Sequence, residues 1–529
     1  MSYFLVRMSA FLAALAFLDH TPVQAEEADS PPDPVKRWRF FLQENEINRL
    51  LVDLASEHRP GRFRFDDVTV LTMTSDAPLP GYSVYVENGV IRAVGPNATV
   101  QAPDDAVRVS AAGKFLMPGL VDMHVHTLVT NSHHLLNLAH GVTSVREMCG
   151  FPWLLKLRDA VRENKLLAPN LYVAGRIMNG APLDMYAEVV TDPDGARKLV
   201  RQQQAAGYEF IKVHNVMKPP VYEAICDEAR KCGIDVVGHI PHSISLQKAI
   251  AQGQRTLEHF KGYYLDRTLE MTQEDYVGLT RGAEVWNCPT LYTYRIGLRG
   301  DRVRALLEGD EGRYISPDER ARWLKAAEDD GANAHTRVFE MSQKIFHDLV
   351  AIGAKFLAGT DSGGGYPMMV PGFALQEELR LMSANGLSAR GTLRAATVNA
   401  AEAMRRTREF GAVEPGKRAD LVLLSKNPLD GVEAVGAVEG VMVRGIWLDR
   451  AALDRILARI REIYSENSPT MIKSVPSRDQ IERLAQSVVE LHGRGFIHMS
   501  HDLRELIGLM KAAGVAPDAI EGILKAVDS

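Results

Sequence analysis

His124 and His126 in LMPGLVDMHVHT, Lys212 in FIKVHN, His239 in VVGHIPH, His259 in RTLEHF and Asp361 in FLAGTDSG are the residues of this chain best suited to holding metal. Imidazole nitrogens and carboxylate oxygens are the ordinary ligands of zinc and its neighbours. His124 and His126 are two apart, so on a strand both point to one face and Val125 to the other. In these five segments an apolar run with strand character ends in, or runs straight into, a polar residue of metal-binding type. Parallel strands of an α/β barrel open their C-terminal ends at one shared mouth, where such residues would meet. A lone His-x-His is a weak signal, equally compatible with packed or surface histidines. Two further strand-end histidines and an aspartate make it a strong signal for a metal site.

Lys212 discriminates most between kinds of site. An ammonium is repelled by a divalent ion, whereas a neutral amine can take up carbon dioxide and become a carbamate, whose two oxygens can bridge two ions. The other reading is a buried lysine paired with an acid, and without carboxylation the site would be mononuclear. Four further residues are candidates for substrate contact. His242 lies three beyond His239, His214 shares a strand face with Lys212, Tyr292 follows the seventh strand in PTLYTY together with Tyr294, and Arg146 follows the second. His133, His134 and His140 read as helix-surface or packing residues.

The elements that must position these residues are legible as a pattern. Across 113–400, apolar strand candidates alternate with helical stretches, as repeated βα units do. Strand endings are expected near His124, Val145, Gly175, Val213, His239, His259, Leu291 and Asp361, and eight strands close a barrel filled by side chains. The interval between the last two carries charged helical sequence such as PDERARWLKAAEDD, an insertion that would shape the mouth. Residues 62–112 instead alternate apolar and polar residues between turn residues, and 401–449 do so again in GAVEPGKRADLVLL and EGVMVRG. The simplest organisation makes one small β domain from both flanks. Residues 26–61 contain a Pro-rich linker and an amphipathic helix over Trp38 to Ser56, and 450–529 read as a helical extension.

Composition bounds the partners. With 46% hydrophobic and 24% charged residues and a formal net charge of −6, nothing points to nucleic acid or an anionic membrane surface, so a small molecule is the expected ligand. A homo-oligomer is compatible with this composition. Arg7, the apolar stretch from Met8 to Leu18 and the small residues of Val23-Gln24-Ala25 read as a signal peptide cleaved near Ala25, with export to a bacterial periplasm. The other reading is an uncleaved tether. No later run reaches the roughly 20 apolar residues that a membrane span needs. Cys226 and Cys232 are six apart on one expected helix and point to different faces, which argues against a bridge between them.

PGLVDMHVH, AGTDSG and EPGKRADLVLL together resemble the amidohydrolase superfamily over roughly residues 62–450. The lysine of FIKVH followed by GHIPH and LEHF is similar to the imidazolonepropionase-like and Xaa-Pro dipeptidase (prolidase) branches. The resemblance implies an α/β fold, a distorted TIM (β/α)8 barrel with a flanking β-sandwich. It also implies two divalent metal ions, most often Zn2+, with Lys212 N6-carboxylated. In that reading His124, His126 and Asp361 hold the more buried ion, His239 and His259 the outer one, and Lys212 bridges. The activity implied is hydrolysis of a C–N bond in an amide, dipeptide-like or cyclic amide substrate, with Asp361 as general base and then acid. FIKVHN lacks the glycines that often follow this lysine in prolidase-like relatives, so dipeptide specificity does not follow. Two other readings stand beside it: a deaminase of a ring substrate, or a ligand-binding relative that has lost catalysis.

Overall fold

The computed structural model describes residues 33–183, 186–264, 271–296, 300–327, 332–363, 369–496, 500–515, 517 and 520–521. The expected signal segment, 1–25, lies outside them.

Three sheets organise the chain. Strands β1 (Arg62–Val70), β2 (Leu79–Glu87), β3 (Val90–Pro96), β4 (Val107–Ser110) and β5 (Phe115–Pro118) precede the segment bearing His124 and His126. β6 (Leu120–Val125), β7 (Val142–Glu147) and β8 (Asn170–Val173) form a parallel three-stranded sheet. β9 (Ile177–Asn179), β10 (Ala187–Val189), β11 (Phe210–Val213), β12 (Asp235–Gly238), β13 (Thr256–Glu258), β14 (Trp286–Cys288) and β15 (Lys355–Phe356) form a second parallel sheet, in the order β10-β9-β11-β12-β13-β14-β15. β16 (Leu421–Leu424), β17 (Val438–Val443) and β18 (Ile446–Asp449) return to the first sheet, where β16 pairs antiparallel with β5. Strands from the two flanks thus share one eight-stranded sheet, in the order β18-β17-β16-β5-β1-β2-β3 with β4 on β1. Between β14 and β15 the described residues include the helices Leu291–Ile296, Gly300–Glu308, Pro317–Ala326 and Ala332–Ala351.

The two parallel sheets touch at both margins. Parallel bridges link Ala174 to Phe210 and Val125 to Ser362. At the second margin Met123 N donates to Ala358 O (2.9 Å), Asp361 N to His124 O (2.7 Å) and His126 N to Ser362 O (2.7 Å). This seam delivers Asp361 to the histidine pair.

Helices cover the strands for reasons visible in their sequences. Pro219–Cys232 begins with proline in the first turn, where no amide donor is lost, and stops at Gly233 with φ 67°, a left-handed conformation that glycine adopts without strain. Val221, Ile225 and Ala229 recur every four residues and are buried. Each larger apolar side chain buried in this way stabilises the fold by about 1.5–3 kcal/mol. At the chain's ends, Pro34–Glu57 packs Trp38 and Phe41 against Ile481, Leu484 and Val488 of Arg478–Gly493. No described helix is long and apolar enough to cross a membrane. The four cysteines form no disulfide.

Candidate metal centre

The six expected ligands gather at the C-terminal ends of the parallel strands. His124 belongs to β6 and His126 follows it, Lys212 is the third residue of β11, and His239 and His259 each come one residue after β12 and β13. Asp361 lies beyond β15 on the stretch that pairs with β6. Asp361 Oδ1 is 3.3 Å from His124 Nε2 and 3.2 Å from His126 Nε2. Asp361 Oδ2 is 3.9 Å from His259 Nε2, and Lys212 Nζ is 3.5 Å from His124 Nε2. Tetrahedral zinc with bonds of about 2.0–2.1 Å separates its ligand atoms by about 3.3–3.4 Å, the length of each of the two Asp361 Oδ1 contacts, and His124, His259 and Asp361 have ligand atoms that all lie within 4.8 Å of one another. His239 completes the group, its ring centroid 4.9 Å from that of His259.

Imidazole must be neutral to ligate, and three of the rings are held so. Burial pushes His259 down to about 4 and His124 and His239 well below the usual histidine range. Each also has its Nδ1 engaged: His124 with Glu258 Oε2 (2.9 Å), His239 with Asn215 Oδ1 (2.6 Å) and His259 with Thr290 Oγ1 (2.6 Å). A proton on Nδ1 leaves the Nε2 lone pair for metal, the usual support for ligating histidines. His126 differs. Burial opposes its protonation, but hydrogen bonds with Asp361 and Glu147 carry it up to about 9. Burial likewise opposes ionisation of Asp361, yet His259, His124 and His126 outweigh it and hold the carboxyl well below its usual range. Without metal, His126 therefore holds a proton beside the ionised Asp361, and an ion bound there would have to displace that proton.

Lys212 is 1% exposed, and burial lowers its pKa. Gly238 lies beside it with φ 117°, and a Cβ there would come within 2.3 Å of Val213 O and 2.8 Å of Lys212 Cδ. Gly359 is equally constrained: its Cβ would meet Cys288 Sγ at 2.5 Å and the backbone of His124 at 3.0 Å. Asp361 (φ 64°), His259 (φ 61°) and Thr290 (φ 49°) all occupy the left-handed region that non-glycine residues seldom adopt. Tyr264 and Tyr294 hydroxyls donate to His259 O at 3.0 and 3.3 Å and help hold that conformation.

The candidate substrate residues fall in different places. His214 is buried, its ring centroid 4.2 Å from that of His239. His242 has an exposed side chain, and its amide donates to Asn215 O. Tyr292 is 6% exposed, with its amide bonded to Glu378 Oε2 (2.7 Å) at the start of helix Leu291–Ile296. Arg146 is fully buried, its guanidinium committed to Met123 O (2.6 Å), Thr256 Oγ1 (3.1 Å) and Glu258 Oε1 (2.8 Å). His134 and His140 are buried within helix Ser132–Ala139 and at its end, rather than on its surface.

Several supporting residues carry no sequence signature. Glu258 joins Arg146 to His124, Glu147 flanks His126, and Glu378 accepts from the amides next to Thr290. Glu258 also lies with His124 and Cys288 in a grouping close enough to hold an ion, as do His124, His259 and Asp361. Its engagement with Arg146 makes the second grouping the better candidate.

Residues 115–448, more than half of the chain, match the amidohydrolase family. The chain belongs to that family. It is 24% identical over 385 residues to an imidazolonepropionase of Geobacillus kaustophilus, covering 65% of this chain and 83% of that protein. It is 30% identical over 137 residues to an adenine deaminase of Rubrobacter xylanophilus, covering 23% of this chain and spanning only 22% of that protein's length. Among solved structures, a bottromycin amidohydrolase superposes with a TM-score of 0.65 at 27% identity, covering 78% of this chain and 93% of its own. A putative prolidase from Bifidobacterium longum superposes at 0.60 and 24% identity, covering 76% and 99%, and shares the fold.

Proposed function

We propose that the protein is a metal-dependent amidohydrolase that cleaves a C–N bond of an amide, dipeptide-like or cyclic amide substrate. The observation that carries this reading is the convergence of Asp361 Oδ1 on Nε2 of His124 and His126 at 3.3 and 3.2 Å. His124, His126 and Asp361 would hold one divalent ion and His239 and His259 a second, zinc being the ion best suited to this donor set. Lys212 would bridge them as a carbamate. The lowered pKa of its buried amine supports this, because only a neutral amine takes up carbon dioxide. The two parallel sheets, with their bridges at both margins, are read as one distorted (β/α)8 barrel, and the eight-stranded sheet as the flanking β-sandwich. Export after cleavage near Ala25 is part of the same proposal.

When bound, the ions supply Lewis acidity, which acidifies water and polarises a carbonyl. The chain's own residues do the rest. Asp361, ionised at neutral pH, takes a proton from the attacking water as the C–O bond forms, then passes it to the leaving nitrogen as the C–N bond breaks. His239 and His259, locked by Asn215 and Thr290, keep the opposite wall of the site fixed while this happens. Libraries of N-acyl amino acids and aminoacyl-prolines test the assignment. Turnover by the wild type and its loss in Asp361→Asn support it, and near-normal activity of Asp361→Asn contradicts it.

Deamination of a ring substrate is the second reading, favoured by the short adenine deaminase match. Lys212, seated 3.5 Å from His124 Nε2, weighs against it, since deaminases of this fold commonly lack the bridging lysine.

A further inference from the structure

The helices outside the family-matched region converge on the segment that follows the histidine pair. Glu44, on helix Pro34–Glu57, accepts from Thr130 Oγ1 at 2.5 Å and from Asn131 N at 3.1 Å. Asn48, one turn on, accepts from Asn131 Nδ2 at 2.9 Å. Tyr464, which ends helix Arg450–Ile463, has its hydroxyl 3.1 Å from both Thr130 Oγ1 and Ser132 Oγ. Every one of these residues is less than a tenth exposed. The hydrogens order themselves. Tyr464 gives its only hydroxyl proton to Ser132 Oγ and Thr130 gives its own to Glu44, so toward the Ser132 amide Thr130 accepts.

The gripped segment runs from the histidine pair to the loop bearing Asp361. At its near end Thr127 N and Oγ1 donate to Glu147 Oε2 at 2.6 and 2.8 Å, and the same carboxylate's other oxygen is 3.6 Å from His126 Nδ1. At its far end it becomes helix Ser132–Ala139. There His133 Nδ1 stands 3.3 Å from where a Cβ on Gly363 would be, two residues after Asp361. The two sets of helices are also joined to one another. Arg459 pairs with Glu46 and Arg494 with Asp53, each at 2.6 Å, beside the packing of Trp38 and Phe41 on Ile481 and Leu484.

We propose that Glu44 and Tyr464 are positioning residues: the terminal helices act as one clamp that fixes residues 127–132 and so sets the rim of the site beside His126. The clamp explains why two polar residues of the appended helices are buried against a loop of the hydrolase region. Its consequence for catalysis rests on the hydrolase reading above, while its effect on the loop does not.

Hydrogen exchange of the metal-loaded, full-length protein tests it. In Glu44→Gln, whose amide presents a donor where a second acceptor was, residues 126–132 should exchange about tenfold faster while β7 and helix Arg478–Gly493 keep wild-type protection. Tyr464→Phe removes one hydroxyl from the same network and should loosen the same residues, which keeps the test available if Glu44→Gln does not fold. On a substrate the wild type hydrolyses, Glu44→Gln and Thr130→Val should each lower kcat/KM by about tenfold, with the double variant no worse than either. Unchanged exchange at 126–132 in a folded Glu44→Gln, or additive losses in the double variant, would overturn the proposal. If the wild type hydrolyses no C–N substrate, the hydrolase reading fails, and the exchange result still decides on the clamp.

Discussion

Glu258 Oε2 lies 2.9 Å from Nδ1 of His124, and both side chains are sealed from solvent. The other oxygen of the same carboxylate accepts from Arg146, also fully buried. The ion pair therefore stands on the Nδ1 side of His124, with Asp361 on the Nε2 side. Replacing Arg146 by Met leaves the Glu258 charge uncompensated and should cost about 3–5 kcal/mol of stability, read from urea unfolding. Glu258→Gln should weaken metal binding by about 10–100-fold. A change confined to KM in Arg146→Met would instead point to substrate contact.

Asn215 and Thr290 perform the matching task for His239 and His259. Asn215→Leu should loosen one ion selectively, so that a chelator removes it at a concentration about 10–100-fold lower than in the wild type while the other ion stays bound. Equal loss of both ions in Asn215→Leu would show that the two halves of the site are not separately supported.

Acid should unfold the metal-free protein through histidines remote from chemistry. Burial pushes His134 and His140 down to about 4 from an ordinary value of 6.5. Between those values the unfolded chain binds protons that the folded one does not, so stability falls as pH drops from 6.5 toward 4. Above that window the two rings have no effect. Each contributes up to about 1.4 kcal/mol per pH unit inside it. Urea midpoints of the metal-free protein at pH 7, 6 and 5 should decline, and His134→Leu should make the decline shallower. A flat profile, or one unaltered by His134→Leu, would remove this cause.

The sequence exposes residues whose type is unexpected at the end of an apolar run, and all six expected ligands are of that kind. His124, Lys212, His239 and His259 each stand in or just after a strand, and strand periodicity alone placed His124 and His126 on one face. Asp361 is legible from AGTDSG, although β15 is only two residues long and the aspartate reaches the site through pairing of later residues with β6. Supporting residues were not legible. Glu258 is one of many acids until Arg146, 112 positions away, comes within 2.8 Å of it. Arg146 reads in sequence as a candidate for substrate just beyond a strand, but it lies within β7, and sequence does not show that Met123, Thr256 and Glu258 occupy its donors. The short strands β9 and β10 lacked a long apolar run, and the tie between Glu44 and Thr130 spans helix and loop with no shared pattern.

Metal content per chain, measured on wild type and Lys212→Ala alongside hydrolysis of an amide substrate, tests the central claim most directly. The binuclear reading predicts about two divalent ions in the wild type with C–N cleavage, a carbamate carbon signal after growth on labelled bicarbonate, and no more than one ion with little turnover in Lys212→Ala. A wild type that holds one ion or none, lacks the carbamate signal, or cleaves amides equally well without Lys212 would contradict it.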